Sequence, residues 1–84
     1  MLPHTLIIQA VQRGHEYGLG EAEVAAERAN ECGRWPEWTT GAYAGWLPED
    51  DDQRAAYDDL LDRAAQAAYE AVRDAITASQ EAAE

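Results

Sequence analysis

The chain has 84 residues, enough for one small domain (residues 1–84) and no second core. Its hydrophobic share of 46% is misleading, because 18 of those side chains are Ala and only 12 are Leu, Ile or Val, with no Phe. A net charge of −11, from 17 acids against six Arg and no Lys, excludes direct binding to phosphate backbones or anionic membranes and makes a basic protein surface the natural partner.

So few branched side chains with so much charge fall in the range of disordered chains, whereas three Trp and four Tyr favour burial. The balance predicts a folded, all-α domain of three to four helices, thinly stabilised and helped by a partner or a second copy.

In chain order, the first predicted helix covers roughly 4–17. Leu6, Ile7, Ala10, Val11 and Gly14 follow helical spacing, and Pro3 suits a first turn. The β-branched pair Ile7-Ile8 leaves a strand open for 4–13, but a lone strand would have nothing to pair with. Gly18 and Gly20 predict a break. A second, short helix over 20–32 would carry Glu21 and Glu23 in its first turn and stop at Gly33. Its stripe of Val24, Ala25, Arg28, Ala29 and Cys32 is narrow.

Residues 33–49 form a connector containing Trp35, Trp38, Tyr43 and Trp46, with Thr39 or Thr40 able to cap a single turn. The clearest element follows, over roughly 50–79. Asp50 through Gln53 has the form of a capping box, and no Gly or Pro interrupts the segment.

Winding that last helix at about 100° per residue sorts it into two faces. Tyr57, Leu60, Leu61, Ala64, Ala65, Ala68, Ala71, Val72, Ala75 and Ile76 share one side. Asp51, Asp58, Asp59, Asp62, Glu70 and Asp74 lie on the other, and these six are the candidate partner-binding residues. From Glu49 onward the net charge is −8, against −3 for residues 1–48. Asp58–Asp62 and Glu70–Asp74 place like charges four residues apart, which a helix on its own would avoid. A solvated face accounts for such a stripe, and so does an anionic surface that competes with nucleic acid.

Trp35, Trp38 and Trp46 are the natural fillers of an alanine-lined groove, or else exposed anchors for a partner. Thirty helical residues extend about 45 Å, longer than a compact domain of this size is wide. The apolar stripe continuing through Val72 and Ile76 therefore also suggests a homodimer.

No cofactor, metal or catalytic set is expected. His4 and His15 make no ligand cluster with Cys32, which reads as a small buried or half-buried thiol. The acidic runs lack EF-hand order, the glycines lack the spacing of a phosphate cradle, and an open helical face offers no cleft to separate carboxylate pKa values. A single Cys, no secretory leader and no long apolar run suggest a cytoplasmic protein.

In size, charge and helicity, the chain resembles the small acidic inhibitors that phages and mobile elements make against host defences. These include anti-CRISPR and anti-restriction proteins, some of them DNA mimics. The resemblance lies in overall character and transfers no functional residue. It implies a protein that occupies the basic groove of a nucleic-acid-binding enzyme or effector complex, and no enzyme. A helical adaptor or oligomerisation module and an acidic antitoxin-like neutraliser are the alternatives. Acidity without Lys also arises from adaptation to salt or from a GC-rich genome.

Overall fold

The computed structural model describes residues 2–39 and 43–82. These form two long helices, α1 (His4–Cys32) and α2 (Asp51–Ala82), with no strand among the described residues. The expected three to four helices are corrected to two. Residues 4–17 and 20–32 are one helix, running without interruption through Gly14, Gly18 and Gly20. Ile7 and Ile8 are helical. Glu21 and Glu23 consequently sit in the middle of a helix, away from any first turn.

The reason for continuity is packing. A Cβ at Gly14 would meet the Leu61 carbonyl oxygen and lie 2.8 Å from the Ala64 Cβ. One at Gly18 would meet the carbonyl oxygen of Ala65 and lie 2.8 Å from its Cα. Ala10, Gly14, Gly18 and Ala22 are all buried at intervals of four, and Tyr57, Leu61, Ala65 and Tyr69 on α2 are buried at the same interval. Matching four-residue ridges are the pattern by which two helices cross in close contact. The local cost of glycine inside a helix, about 1 kcal/mol each, is offset by that approach.

Both ends of α1 and the start of α2 are locally encoded. Pro3 stands just before α1 in an extended conformation (φ −60°, ψ 151°), and its carbonyl accepts from the Leu6 and Ile7 amides, both at 3.0 Å. Gly33 ends α1 in the left-handed region at φ 76°, its amide donating to Ala29 O at 2.7 Å. Asp50 caps α2, with Gln53 N donating to its Oδ1 at 3.0 Å.

The two helices run parallel. Gln9 meets Tyr57, Gly14 meets Leu61, Gly18 meets Ala65, and Ala22 and Ala25 cluster with Tyr69. A parallel pair requires the connector to travel back along the whole length. Residues 33–50, extended at about 3.3 Å each, have the reach to do so. Trp35 and Trp38 lie at Tyr69, Tyr43 at Tyr17, and Trp46 at Tyr57, so the described parts of the connector, 33–39 and 43–50, form a strap laid antiparallel along one groove of the pair. The single turn expected around Thr40 falls on residues 40–42, outside the described residues.

Two apolar clusters flank the glycine crossing. Leu2, Ala10, Tyr57 and Leu61 make one, with Leu6, Ile7, Tyr17, Tyr43, Leu47 and Leu60 around them. Ala22, Ala25 and Tyr69 make the other, covered by Trp35, Trp38 and Val72. The shape is a rod of 50 × 21 × 13 Å with a radius of gyration of 14.8 Å, against about 12 Å for a compact chain of this length. The length of α2 is thus absorbed by a partner helix and a strap of equal span.

Cys32 corrects a further expectation. It is exposed at the last position of α1.

Candidate functional site

Every Asp and Glu among the described residues is exposed or half-buried, and none is fully buried. The six expected residues do lie on one side of α2, but they are not equivalent. Asp59 pairs with Arg63 at 3.1 Å, a fully helical i,i+4 contact. Arg73 reaches both Asp74, at 2.9 Å, and Glu70, at 3.8 Å. That fork relieves the like-charge pair Glu70–Asp74, and the hydrogen bond to Asp74 raises the pKa of the Arg73 guanidinium.

Asp62 has a structural task. Its Oδ1 accepts the indole N–H of Trp38 at 3.2 Å, tying the strap to α2. Asp51 and Asp58 have no ion-pair partner among the described residues.

The strap covers part of the sector that the helical wheel assigns to acids. Tyr69 falls at the angle of Asp51 on that wheel, between Asp58 and Asp62, yet it is buried beneath Trp35 and Trp38. Its hydroxyl donates to Pro36 O at 2.6 Å. Ring centroids lie 5.2 Å away at Trp35 and 5.1 Å at Trp38, and Tyr17 stands edge-on to Trp38 at 5.8 Å. The aromatic seam sits in a negative field. Burial raises the Tyr17 hydroxyl above the ordinary tyrosine value, and Glu21 and Asp62 push it further the same way. Burial and then Glu21 raise Tyr69, with Arg28 and Arg73 acting against them.

The three tryptophans divide. Trp35 and Trp38 are half-buried fillers between strap and helices, although Trp35 Nε1 is buried without a hydrogen-bond partner among the described residues. Trp46 is 50% exposed and touches Tyr57 edge-on, with centroids 5.6 Å apart.

The acids that sequence reasoning passed over lie on α1. Glu16, Glu23, Glu27 and Glu31 are exposed and, wound at about 100° per residue, cluster on the flank pointing away from α2. The four-residue spacing of Glu23, Glu27 and Glu31 was the available signal. Asp52, Asp59, Glu70, Asp74 and Glu81 occupy the corresponding outer flank of α2. Carboxylates therefore line both long sides of the rod.

A small cavity of about 150 Å³ opens between α1 and the strap, lined by Glu21, Val24, Arg28, Trp38 and Tyr69 among others. Among the described residues, no group of three or more His, Cys, Asp or Glu is placed to hold a metal ion. No helix among the described residues is long and apolar enough to cross a membrane. No family model matches the chain, no curated protein matches it, and no solved structure matches it.

Proposed function

We propose that this protein is a small acidic inhibitor that occupies the basic groove of a nucleic-acid-binding enzyme or effector complex. The observation that carries this reading is the pair of carboxylate flanks on opposite sides of a 50 Å rod. That length matches the rise of about 15 base pairs at 3.4 Å per step. Glu23, Glu27 and Glu31 on α1, and Glu70 and Asp74 on α2, follow one another at about 6 Å along the axis, with Glu16, Asp52, Asp59 and Glu81 spaced more widely on the same flanks. Only Asp59, Glu70 and Asp74 sit within 4.0 Å of an arginine among the described residues, which leaves most of the charge free for a basic partner.

Asp59, Glu70 and Asp74 belong to the α2 flank of this surface, with Asp51, Asp58 and Asp62 contributing charge beside the strap that Asp62 holds. The two long helices hold the row straight before binding, which lowers the ordering cost of association.

The test is a capture from cell lysate at low and high salt, with retained proteins identified. Compared with the wild type is a variant carrying Asp58→Asn, Asp62→Asn, Glu70→Gln and Asp74→Gln. Nucleic-acid-binding proteins held at low salt, released at high salt and lost from the variant support the reading. Partners held equally well by the variant, with helicity unchanged, overturn it.

A second reading rests on Trp46, half-exposed at the N-terminal end of α2. As the anchor of a helical adaptor it would bind with little salt dependence, and Trp46→Ala would abolish capture while the acidic variant retained it.

A further inference from the structure

The strap fills one groove of the helix pair, and the opposite side of the pair is bare. On α2, Leu60, Ala64, Ala67, Ala71 and Ala75 fall within an arc of about 80° when wound at 100° per residue, and no charged residue of α2 shares that arc. On α1, Ile8, Val11, His15, Leu19 and Ala26 fall in a similar arc that holds no Asp, Glu or Arg. Tyr17, Asp62 and Tyr69 mark the strap side, and because the helices are parallel the two uncharged arcs lie together on the reverse side. Ile8 is 57% exposed, Val11 42% and Leu19 39%, while Ala67, Ala71 and Ala75 are exposed as well.

We infer that this reverse face is the interface between two copies of the chain. Two observations select a second copy as the occupant. The first is charge. Among the described residues, a chain of net charge −11 leaves one side of its rod without a single acid, whereas both flanks and the strap side carry them. A basic partner would find nothing to pair with there. A second copy brings an identical uncharged face and keeps its own acids outward.

The second is area. The chain exposes 6013 Å², whereas a monomeric protein of 9.2 kDa exposes about 4,900 Å². The excess of about 1,100 Å² exceeds the roughly 800 Å² per partner that a stable interface of ordinary size covers. Two-fold pairing of the same patch closes on itself and leaves no further sticky surface. The alanines permit close approach of helices, and Ile8, Val11 and Leu19 supply the bulk between them.

This inference is independent of the acidic-groove reading, and salt separates the two. Binding to a basic groove weakens as salt rises. Self-association strengthens, because salt screens repulsion between two bodies of like charge meeting on uncharged faces.

Sedimentation equilibrium on the full chain at low and high salt is the test, alongside Leu19→Glu and Ala71→Glu. The wild type should reach twice the 9.2 kDa chain mass, at lower concentration in high salt. Each variant should raise the dimer dissociation constant at least tenfold with unchanged helicity by circular dichroism. Should a glutamate reduce helicity, Leu19→Gln and Ala71→Gln are measured in its place, with the same direction expected. A wild type that stays monomeric at both salts overturns the inference. So does a dimer that dissociates as salt rises, or one that survives all four substitutions.

Discussion

Gly18 of α1 lies directly on the backbone of Ala65 of α2. A Cβ added at Gly18 would stand 2.8 Å from both the carbonyl carbon and the Cα of Ala65. Two residues later, Gly20 is exposed, and a Cβ there would meet nothing within 4 Å beyond its chain neighbours and its own helix backbone. The same residue type in the same helix therefore plays opposite parts.

Gly18→Ala should destabilise the fold by about 1–3 kcal/mol, because neither backbone can yield without parting the helices. Gly20→Ala should stabilise it by about 0.5–1 kcal/mol, through the gain in helix propensity and the loss of unfolded-state freedom. Urea unfolding followed by circular dichroism measures both. A neutral or stabilising Gly18→Ala would show that the crossing at Gly18 is looser than described, and a destabilising Gly20→Ala would show that Gly20 is not free of contacts.

Asp62 links charge to architecture. Asp62→Ala strands the Trp38 indole N–H in a half-buried site, at a cost of about 1–2 kcal/mol. The strap should loosen, with tryptophan emission moving to longer wavelength and faster proteolysis between α1 and α2. Asp62→Asn keeps an acceptor oxygen and should leave emission close to the wild type while still removing one charge. Equal spectra for Asp62→Ala and wild type would show that this hydrogen bond does not hold the strap.

Tyr17 and Tyr69 give the fold an alkaline limit. Both hydroxyls have pKa values raised in the folded state, chiefly by burial and next by Glu21. Folding therefore favours the neutral form. The stabilisation is complete below the unfolded tyrosine value, about 10, and declines as pH climbs through the higher folded values. Tyr69→Phe should cost about 1 kcal/mol at neutral pH, for the lost bond to Pro36 O. It should also flatten the alkaline decline, as read from thermal midpoints across the alkaline range. A slope identical to that of the wild type would remove Tyr69 from the account.

Much of the local structure is legible without coordinates. The Asp50 cap with Gln53, the stop at Gly33 and the uninterrupted α2 all depend on groups within a few residues of each other, where backbone hydrogen bonding leaves little choice. The α1 glutamate flank is equally legible in the four-residue spacing of Glu23, Glu27 and Glu31. The break expected at Gly18 and Gly20 failed for a different reason. Glycine weakens an isolated helix, and only the presence of Ala65 on a second helix turns Gly18 from a breaker into a contact.

Tyr69 makes the same point for burial. Its angular position groups it with the acids, and a helical wheel knows one helix at a time. The strap, returning with Trp35 and Trp38, gives α2 a second covered face that periodicity does not encode.

By itself, then, the amino-acid order determined the helical class, the caps, the placement of charge along the chain and the absence of acids from one arc of each helix. Tertiary structure alone decided that the helices lie parallel, that they touch through glycine, and that the tryptophan segment runs back between them. The helix contact depends on atoms more than forty residues apart in sequence meeting across a gap too small for a methyl group, and the strap on ring contacts and hydrogen bonds between distant residues, none of which a local propensity reports.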